Sequence, residues 1–181
     1  MLNVAQLARN LGVDAKTVNS YLQLLIDLLL VRRLPPWHAN LGKRLVKAPK
    51  IYVRDSGLVH ALLDLADKEA VVSHPIVGAS WEGYCIENLL ACAPSRVQGH
   101  FYRSSGGAEV DLLLHWPRGE LWAIEIKRSL APKLERGFHA ACADLQPARR
   151  IVIYPGNEAY PMAHDVRAMP LAELCAQLRA A

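Results

Sequence analysis

Alternation of apolar and polar side chains predicts two adjacent strands in the middle of the chain. The first covers residues 109–116, the second covers residues 121–127, and turn-forming residues at 117–120 lie between them. Residues two apart on a strand share a face, so Glu125 and Lys127 project together, away from the apolar side chains of that strand. The pattern therefore predicts a hairpin with two charged side chains at the end of an apolar strand.

The length of the turn decides whether Asp111 joins this charged pair. With a three-residue loop at 117–119 and Gly119 in the left-handed region, Asp111 lies opposite Glu125. A five-residue loop gives the same pairing, whereas a four-residue loop would place Asp111 opposite Ile126, on the other face. The two carboxylates therefore meet only in the odd-loop registers.

Side-by-side carboxylates have a chemical consequence, because they repel unless a proton or a cation lies between them. Hard oxygen ligands with open positions suit Mg²⁺ or Mn²⁺, so we predict Asp111 and Glu125 as metal ligands. Such an ion would polarise a phosphoryl oxygen and lower the pKa of a water, while Lys127 would orient that water or offset charge on the phosphate. The alternative is a surface hairpin with ordinary solvated charges.

A further carboxylate comes from a helix that the apolar periodicity predicts over residues 81–92. Glu82 lies near the middle of its broad apolar face, whereas Glu87 lies on the polar side with Gly83. Burial of an unpaired carboxylate is costly, so we expect Glu82 to meet a cation, a hydrogen-bond donor or water at a cleft. The alternative is a carboxylate at the helix start, favoured by the helix dipole.

These residues, in this order, resemble the PD-(D/E)XK, or restriction-endonuclease-like, nuclease superfamily over residues 76 to about 170. The resemblance implies catalytic roles for Glu82, Asp111, Glu125 and Lys127, with the three carboxylates binding the metal. Val110 stands where the family name has proline. Strands predicted over residues 100–103 and 149–154 and helices over residues 134–145 and 171–178 complete an α/β layout.

Basic side chains are concentrated at the other end of the chain. The first 55 residues hold nine lysines and arginines against three acids, a net charge of +6, whereas the whole chain carries +4. This asymmetry indicates a polyanionic partner. Gly12 closes a short amphipathic helix and Asp14 can cap a second, which predicts a helix-turn-helix. The apolar continuation of the second helix, residues 22–31, is expected to be buried.

Two predicted strands around a basic loop follow this motif and complete a winged helix. Its second helix would reach base edges and its loop would contact the DNA backbone. The alternative is a winged helix that contacts protein, with a solvated loop. The residues that we predict to contact DNA are Lys16, Asn19, Gln23, Lys43, Arg44, Lys47 and Lys50.

A second resemblance covers nearly the whole chain. Residues 35–57, 78–82, 101–103 and 109–111 together resemble the C-terminal domain of unknown function in bacterial and archaeal AAA-type ATP-binding proteins. In that family a P-loop ATPase normally precedes the winged helix. This chain contains no G-x-x-x-x-G-K-[ST] element, so no ATP site is assigned to it, and an AAA-type ATPase domain is an expected partner. The chain is either a fragment of a longer ATPase or a tail encoded alone.

The expected fold class is therefore α/β, with an N-terminal winged helix followed by a restriction-endonuclease-like domain that has a central mixed sheet. The expected domains are residues 1–65 and 81–181, with residues 66–80 as their linker. No apolar run reaches bilayer length and no signal peptide precedes the first helix, so we expect a cytoplasmic protein without a membrane partner, and homo-oligomerisation stays open.

The cysteines and one histidine need separate consideration. Cys85, Cys92, Cys142 and Cys175 form no C-x-x-C pair, which favours buried thiols in a reducing compartment over a zinc site. His115 shares a strand face with Asp111 and could reach the cleft, the alternative being a solvated histidine at the strand end.

The functional hypothesis is a metal-dependent nuclease, or a phosphodiesterase with a nuclease fold, guided to DNA by the winged helix. The alternative is a non-catalytic DNA-binding or protein-binding tail that regulates an AAA-type ATPase or mediates oligomerisation. A transcriptional regulator would explain the winged helix but not Glu82.

Overall fold

Helices predominate in the first half of the chain and a six-stranded sheet forms most of the second half. The computed structural model describes residues 2–38 and 44–181. Its helices are α1 Val4–Leu11, α2 Ala15–Asp27, α3 Ser56–Leu62, α4 Lys68–Ser73, α5 Val77–Cys92, α6 Arg136–Leu145 and α7 Leu171–Arg179. Its strands are β1 Val31–Leu34, β2 Lys50–Val53, β3 Gln98–Arg103, β4 Glu109–His115, β5 Leu121–Ile126, β6 Arg149–Tyr154, β7 Tyr160–Met162 and β8 Val166–Pro170.

The first helix begins and ends where the sequence predicts, and the second begins at the predicted residue. The Asn3 side chain accepts a hydrogen bond from the Gln6 amide at the start of α1, and Gly12 ends that helix with φ 65°. Asp14 caps α2 by accepting from the Thr17 amide at 2.7 Å. Strands β1 and β2 then pair antiparallel. We refer to α1, α2, β1 and β2 as the N-terminal unit.

The apolar continuation of α2 is not buried, so that prediction was wrong. The helix ends at Asp27, and only Val18 and Leu22 of α2 are buried. Leu28 and Leu29 are 58% and 67% exposed. The physical reason is the small size of the N-terminal unit: in the described residues α1 and β1 make the main contacts of α2, and they cover only part of its surface.

The large sheet has the strand order β3-β4-β5-β6-β8-β7. Strands β5, β6 and β8 run parallel to one another, and the other neighbours pair antiparallel. Buried residues of α5 and α7 pack on one face, and buried residues of α6 pack on the other. The α/β class and the mixed sheet are therefore confirmed, while β7 and β8 had not been predicted.

The hairpin between β4 and β5 has the three-residue loop. Leu112 pairs with Ile124 and the remaining pairs follow in step. The Trp116 amide donates to the Glu120 carbonyl at 2.9 Å, and Gly119 has φ 83°. This register puts Asp111 opposite Glu125 on the strand edge, so of the alternatives left open by the sequence the structure has the one in which the two carboxylates meet.

Helix occupies most of the segment that was predicted as a linker. Asp67 caps α4 and α5 already begins at Val77, inside the range 66–80. Helix α5 contacts both parts of the chain, because its other side meets the N-terminal unit. Gly83 lies against the Tyr52 ring, and a Cβ there would come within 3.1 Å of it. Residues 66–80 are thus a helical connection.

Glu87 has a larger role than a solvated charge on the polar side of α5. Its Oε1 accepts from Arg32 Nη2 at 3.0 Å and from Arg54 Nε at 2.7 Å. Arg32 lies on β1, and Arg54 directly follows β2. The carboxylate therefore ties the N-terminal unit to α5, and the interpretation of Glu87 as an unremarkable surface acid is corrected.

Candidate functional site

A cleft of about 630 Å³ opens where β4 begins and β5 ends, between α5 and the start of α6. The predicted catalytic residues line it together. The charged residues of the cleft that matter chemically are Glu82, Glu109, Asp111, Glu125 and Lys127. The hairpin register brings Asp111, Glu125 and Lys127 together, and the packing of α5 on the sheet places Glu82 in the same cleft.

Asp111 is held across the hairpin by both of its oxygens. Oδ2 accepts the backbone N–H of Ile126 at 3.0 Å, and Oδ1 lies 3.3 Å from Nζ of Lys50. Burial, followed by the nearby charge of Glu82, raises the pKa of Asp111 above its ordinary value. The carboxylate is therefore fixed in direction and favours a positive neighbour.

Glu125 has one oxygen paired and one oxygen without a partner. Oε1 lies 2.9 Å from Nζ of Lys127, whereas Oε2 is buried and has no hydrogen-bond partner among residues 2–38 and 44–181. Burial and then the charge of Asp111 raise the pKa of Glu125 to about 8. A buried carboxylate oxygen without a hydrogen-bond partner would be stabilised by a proton or a cation.

Lys127 is positioned by its own backbone. Its N–H donates to the Ile153 carbonyl at 2.9 Å, and its carbonyl accepts from the Trp81 indole at 3.2 Å. Burial opposes the charge of Lys127, but the hydrogen bond and charge of Glu125 outweigh it, so the pKa stays above its ordinary value. The exposed Glu135 lies 3.7 Å from the ammonium. Lys127 is thus a fixed cation at the cleft.

Glu82 meets both a cation and a donor, as its place on an apolar helix face predicts. Oε1 accepts from Lys50 Nζ at 2.8 Å and from the Tyr52 hydroxyl at 2.6 Å. Burial and the Glu82 charge raise the pKa of Tyr52, which therefore stays a hydrogen-bond donor. Because α5 begins at Val77, Glu82 lies beyond its first turn, and the alternative of a helix-start carboxylate was wrong.

Lys50 is the residue that sequence reasoning misplaced. We predicted it to contact DNA, but it is only 8% exposed and its ammonium lies among the carboxylates. Besides Glu82 and Asp111 it reaches Oε1 of Glu109 at 3.5 Å. Burial opposes its charge, but the acids outweigh burial and hold the pKa of Lys50 above its ordinary value. A signal was present: Lys50 and Tyr52 are two apart on β2 and so share a face.

The donor set suits a hard divalent cation. Four carboxylates face two ammonium groups, the ligands are all oxygen, and the unpartnered Oε2 of Glu125 is an open ligand. Within the described residues, however, no three acidic, histidine or cysteine side chains already converge as a metal cage. The Lys50 ammonium stands beside Glu82, Glu109 and Asp111 instead.

Comparison with known proteins identifies the family. The sequence model of a domain of unknown function, DUF4143, matches residues 77–174. The chain belongs to the DUF4143 family. A second domain of unknown function, DUF8612, matches residues 1–69, so the boundary between the two matches falls in the helical connection.

Two curated relatives of this DUF4143 protein are the uncharacterized proteins Mb2031c of Mycobacterium bovis and Rv2008c of Mycobacterium tuberculosis. Each is 43% identical over 167 residues, which is 92% of this chain. The chain spans 37% of the length of each relative. No solved structure matches it significantly.

Of the residues predicted to contact DNA, Lys43 lies outside the described residues and Lys50 is buried among the acids. The others are exposed on α2 and on the segment before β2, and they do not line the DUF4143 cleft. Gln23 donates to Asp27 at 2.8 Å on the same helix. The exposed members of the set are Lys16, Asn19, Gln23, Arg44 and Lys47.

The other candidates are placed as follows. His115 lies outside the cleft lining, with its ring 4.8 Å from Trp37 and 6.5 Å from His100. Arg103 lies at the end of β3, and its Nη1 is 3.5 Å from Oε1 of Glu109. All four cysteines are free and buried, as predicted. In the ranges that the structure describes, no helix has the length and apolarity needed to cross a membrane.

Proposed function

We propose that this DUF4143 protein is a metal-dependent phosphodiesterase of the PD-(D/E)XK nuclease type that acts on DNA. The observation that carries the proposal is the meeting of Asp111 and Glu125 across a hairpin, with Lys127 on the second strand and one carboxylate oxygen unpartnered. Asp111 and Glu125 would hold Mg²⁺ or Mn²⁺, and Glu82 would complete the acidic surroundings.

The chemistry adds water across one P–O ester bond. The oxygen of water bonds to phosphorus, the ester bond breaks, the leaving oxygen takes up a proton, and the other proton passes to a base or to solvent. A bound metal would polarise the phosphoryl oxygen and acidify the water. Lys127 would place a positive charge where negative charge develops on phosphate, and the proton of the attacking water would pass to solvent.

The N-terminal unit would hold the substrate. We propose that it acts as a winged helix, with Lys16, Asn19 and Gln23 near base edges and Arg44 and Lys47 near phosphates, because these side chains are exposed and the surrounding sequence is basic. We also propose an AAA-type ATPase domain as the working partner, which the sequence resemblance supports. The curated relatives are long enough to hold further domains.

One observation favours a second candidate function. Lys50 neutralises the acids that a metal needs, as it would in a module that uses this fold only to bind DNA or protein and to regulate an ATPase. In that case the cluster would join the N-terminal unit to the sheet and would do no chemistry.

Incubation with supercoiled, linear, single-stranded and branched DNA distinguishes the two functions. We expect Mg²⁺-dependent or Mn²⁺-dependent cleavage by the wild type, loss of cleavage in Asp111→Ala and Lys127→Ala, and unchanged cleavage in Lys133→Ala, which removes an exposed lysine outside the cleft lining. Absence of cleavage by the wild type, or equal cleavage by the two site variants, contradicts the catalytic proposal and favours the binding module.

A further inference from the structure

Lys50 places a positive charge beside carboxylates that would have to be free in order to bind a metal. Its side chain is 10% exposed, and its Nζ lies 2.8 Å from Glu82 Oε1, 3.3 Å from Asp111 Oδ1 and 3.5 Å from Glu109 Oε1. An ammonium at this depth requires paired acids, and three carboxylates supply them. The Lys50 ammonium is therefore held by acids that line the cleft.

The lysine comes from a different part of the chain than its partners. It is the first residue of β2, in the N-terminal unit, whereas the acids belong to α5 and β4. Tyr52, on the same face of β2, donates to the same oxygen of Glu82 and packs its ring on Gly83. The position of Lys50 therefore depends on how β2 packs against α5.

Lys50 and a divalent cation would compete for the same carboxylate oxygens. Asp111 Oδ2 already accepts the Ile126 amide and its Oδ1 faces Lys50, so the ammonium takes the oxygen that a metal would need. A divalent ion at Asp111 would lie within a few ångströms of a buried ammonium, where like charges repel strongly. Oε2 of Glu125 has no partner in the described residues, but by itself it is too little for a hard cation that requires several oxygen ligands.

We propose that Lys50 is an internal cation that competes with a divalent metal for Glu82 and Asp111, so that metal binds only when the Lys50 ammonium moves away from these carboxylates. The inference rests on the proposed metal-dependent function and names how that site is regulated. It follows that metal loading is coupled to the packing of the N-terminal unit on α5. Displacement of β2 frees the acids, and the undisturbed contact keeps them occupied.

The test is a calorimetric titration with Mn²⁺ of the full chain, in parallel for wild type, Lys50→Gln and the matched control Lys133→Gln. We expect Lys50→Gln to bind Mn²⁺ about tenfold more tightly or better, the scale on which groups beside a metal site alter its affinity. Lys133→Gln should bind like the wild type. Adding Asp111→Asn to Lys50→Gln should remove the gain.

Equal or weaker binding by Lys50→Gln, or no binding by any of the proteins, overturns the proposal. Circular dichroism checks that each variant is folded. If Lys50→Gln does not fold, amide hydrogen exchange of the wild type decides: saturating Mn²⁺ should speed exchange in β2, and unchanged exchange there overturns the proposal.

The outcome separates this inference from the proposed function. A gain in Mn²⁺ affinity without DNA cleavage by any variant leaves lysine competition standing and removes the nuclease assignment. DNA cleavage by the wild type, without a gain in Mn²⁺ affinity in Lys50→Gln, leaves the nuclease assignment standing and removes lysine competition.

Discussion

The Glu87→Gln substitution should loosen the attachment of the N-terminal unit to α5. Glu87 accepts hydrogen bonds from Arg32 and Arg54, and its side chain is 17% exposed, against 26% and 28% for the two arginines. Glutamine keeps the length and one acceptor oxygen but loses the charge. Two partly buried guanidinium groups then lose their anionic partner.

The expected magnitude follows from this partial burial. Breaking a fully buried ion pair costs about 3–5 kcal/mol, and an exposed pair contributes about 0–1 kcal/mol. For Glu87, which lies between these cases, we expect a loss of about 2 kcal/mol in the free energy of unfolding, since hydrogen bonds to charged groups contribute about 1.5–3 kcal/mol. For a chain of this length, that corresponds to a fall in Tm of roughly 4–8 °C.

The pH dependence of the loss gives a second check. Burial raises the pKa of Glu87, but the hydrogen bonds and charges of Arg32 and Arg54 outweigh it and hold that pKa below its ordinary value. A carboxyl with a lower pKa in the folded state stabilises the protein above its unfolded pKa, and this contribution disappears as pH falls through the folded pKa. The gap between wild type and Glu87→Gln should therefore be full at neutral pH and shrink below about pH 4.

Urea unfolding of both proteins across pH, with Glu158→Gln as the control for an exposed glutamate, measures this gap. A loss under about 0.5 kcal/mol at neutral pH, the range of ordinary surface substitutions, would refute the role of Glu87 as a tie. So would a gap that grows on acidification.

Two further predictions concern packing and DNA. Gly83→Ala should be less stable than Gly78→Ala by about 1 kcal/mol or more in thermal unfolding, because a Cβ at Gly83 would lie 3.1 Å from the Tyr52 ring, whereas Gly78 has open space around it. The double variant Arg44→Ala, Lys47→Ala should weaken DNA binding and flatten the slope of log affinity against log salt by about 2; an unchanged slope would contradict phosphate contact.

The hairpin could be predicted from sequence because its determinants are local. Period-two alternation marks the strands, and Gly119 allows the left-handed residue that a three-residue loop needs. With those two features the opposition of Asp111 and Glu125 follows from geometry alone. Glu82 was predictable for a similar reason, since a carboxylate on an apolar helix face must find a partner.

Lys50 could not be placed in the same way. It lies 32 residues before Glu82 and 61 before Asp111, and its basic neighbours made a DNA contact the natural interpretation. Only the packing of β2 against α5 turns its ammonium towards the acids. Charge composition reports how many cations a segment holds, whereas tertiary structure decides which of them face inward.

The remaining misses also have physical causes. Strands β7 and β8 are short, and Pro161 and Pro170 interrupt their pattern, so no clear alternation marks them. The burial of α2 was overpredicted for a different reason. An apolar run becomes buried only if enough protein is present to cover it, and the apolar side of α2 is exposed.

Anomalous diffraction from crystals soaked in Mn²⁺ would show whether the ion binds at the hairpin. We expect a manganese peak bonded to both Asp111 and Glu125, with Lys50 Nζ withdrawn beyond hydrogen-bond distance of Asp111 Oδ1. No peak at saturating Mn²⁺, with Lys50 still paired to Glu82 and Asp111, would contradict it.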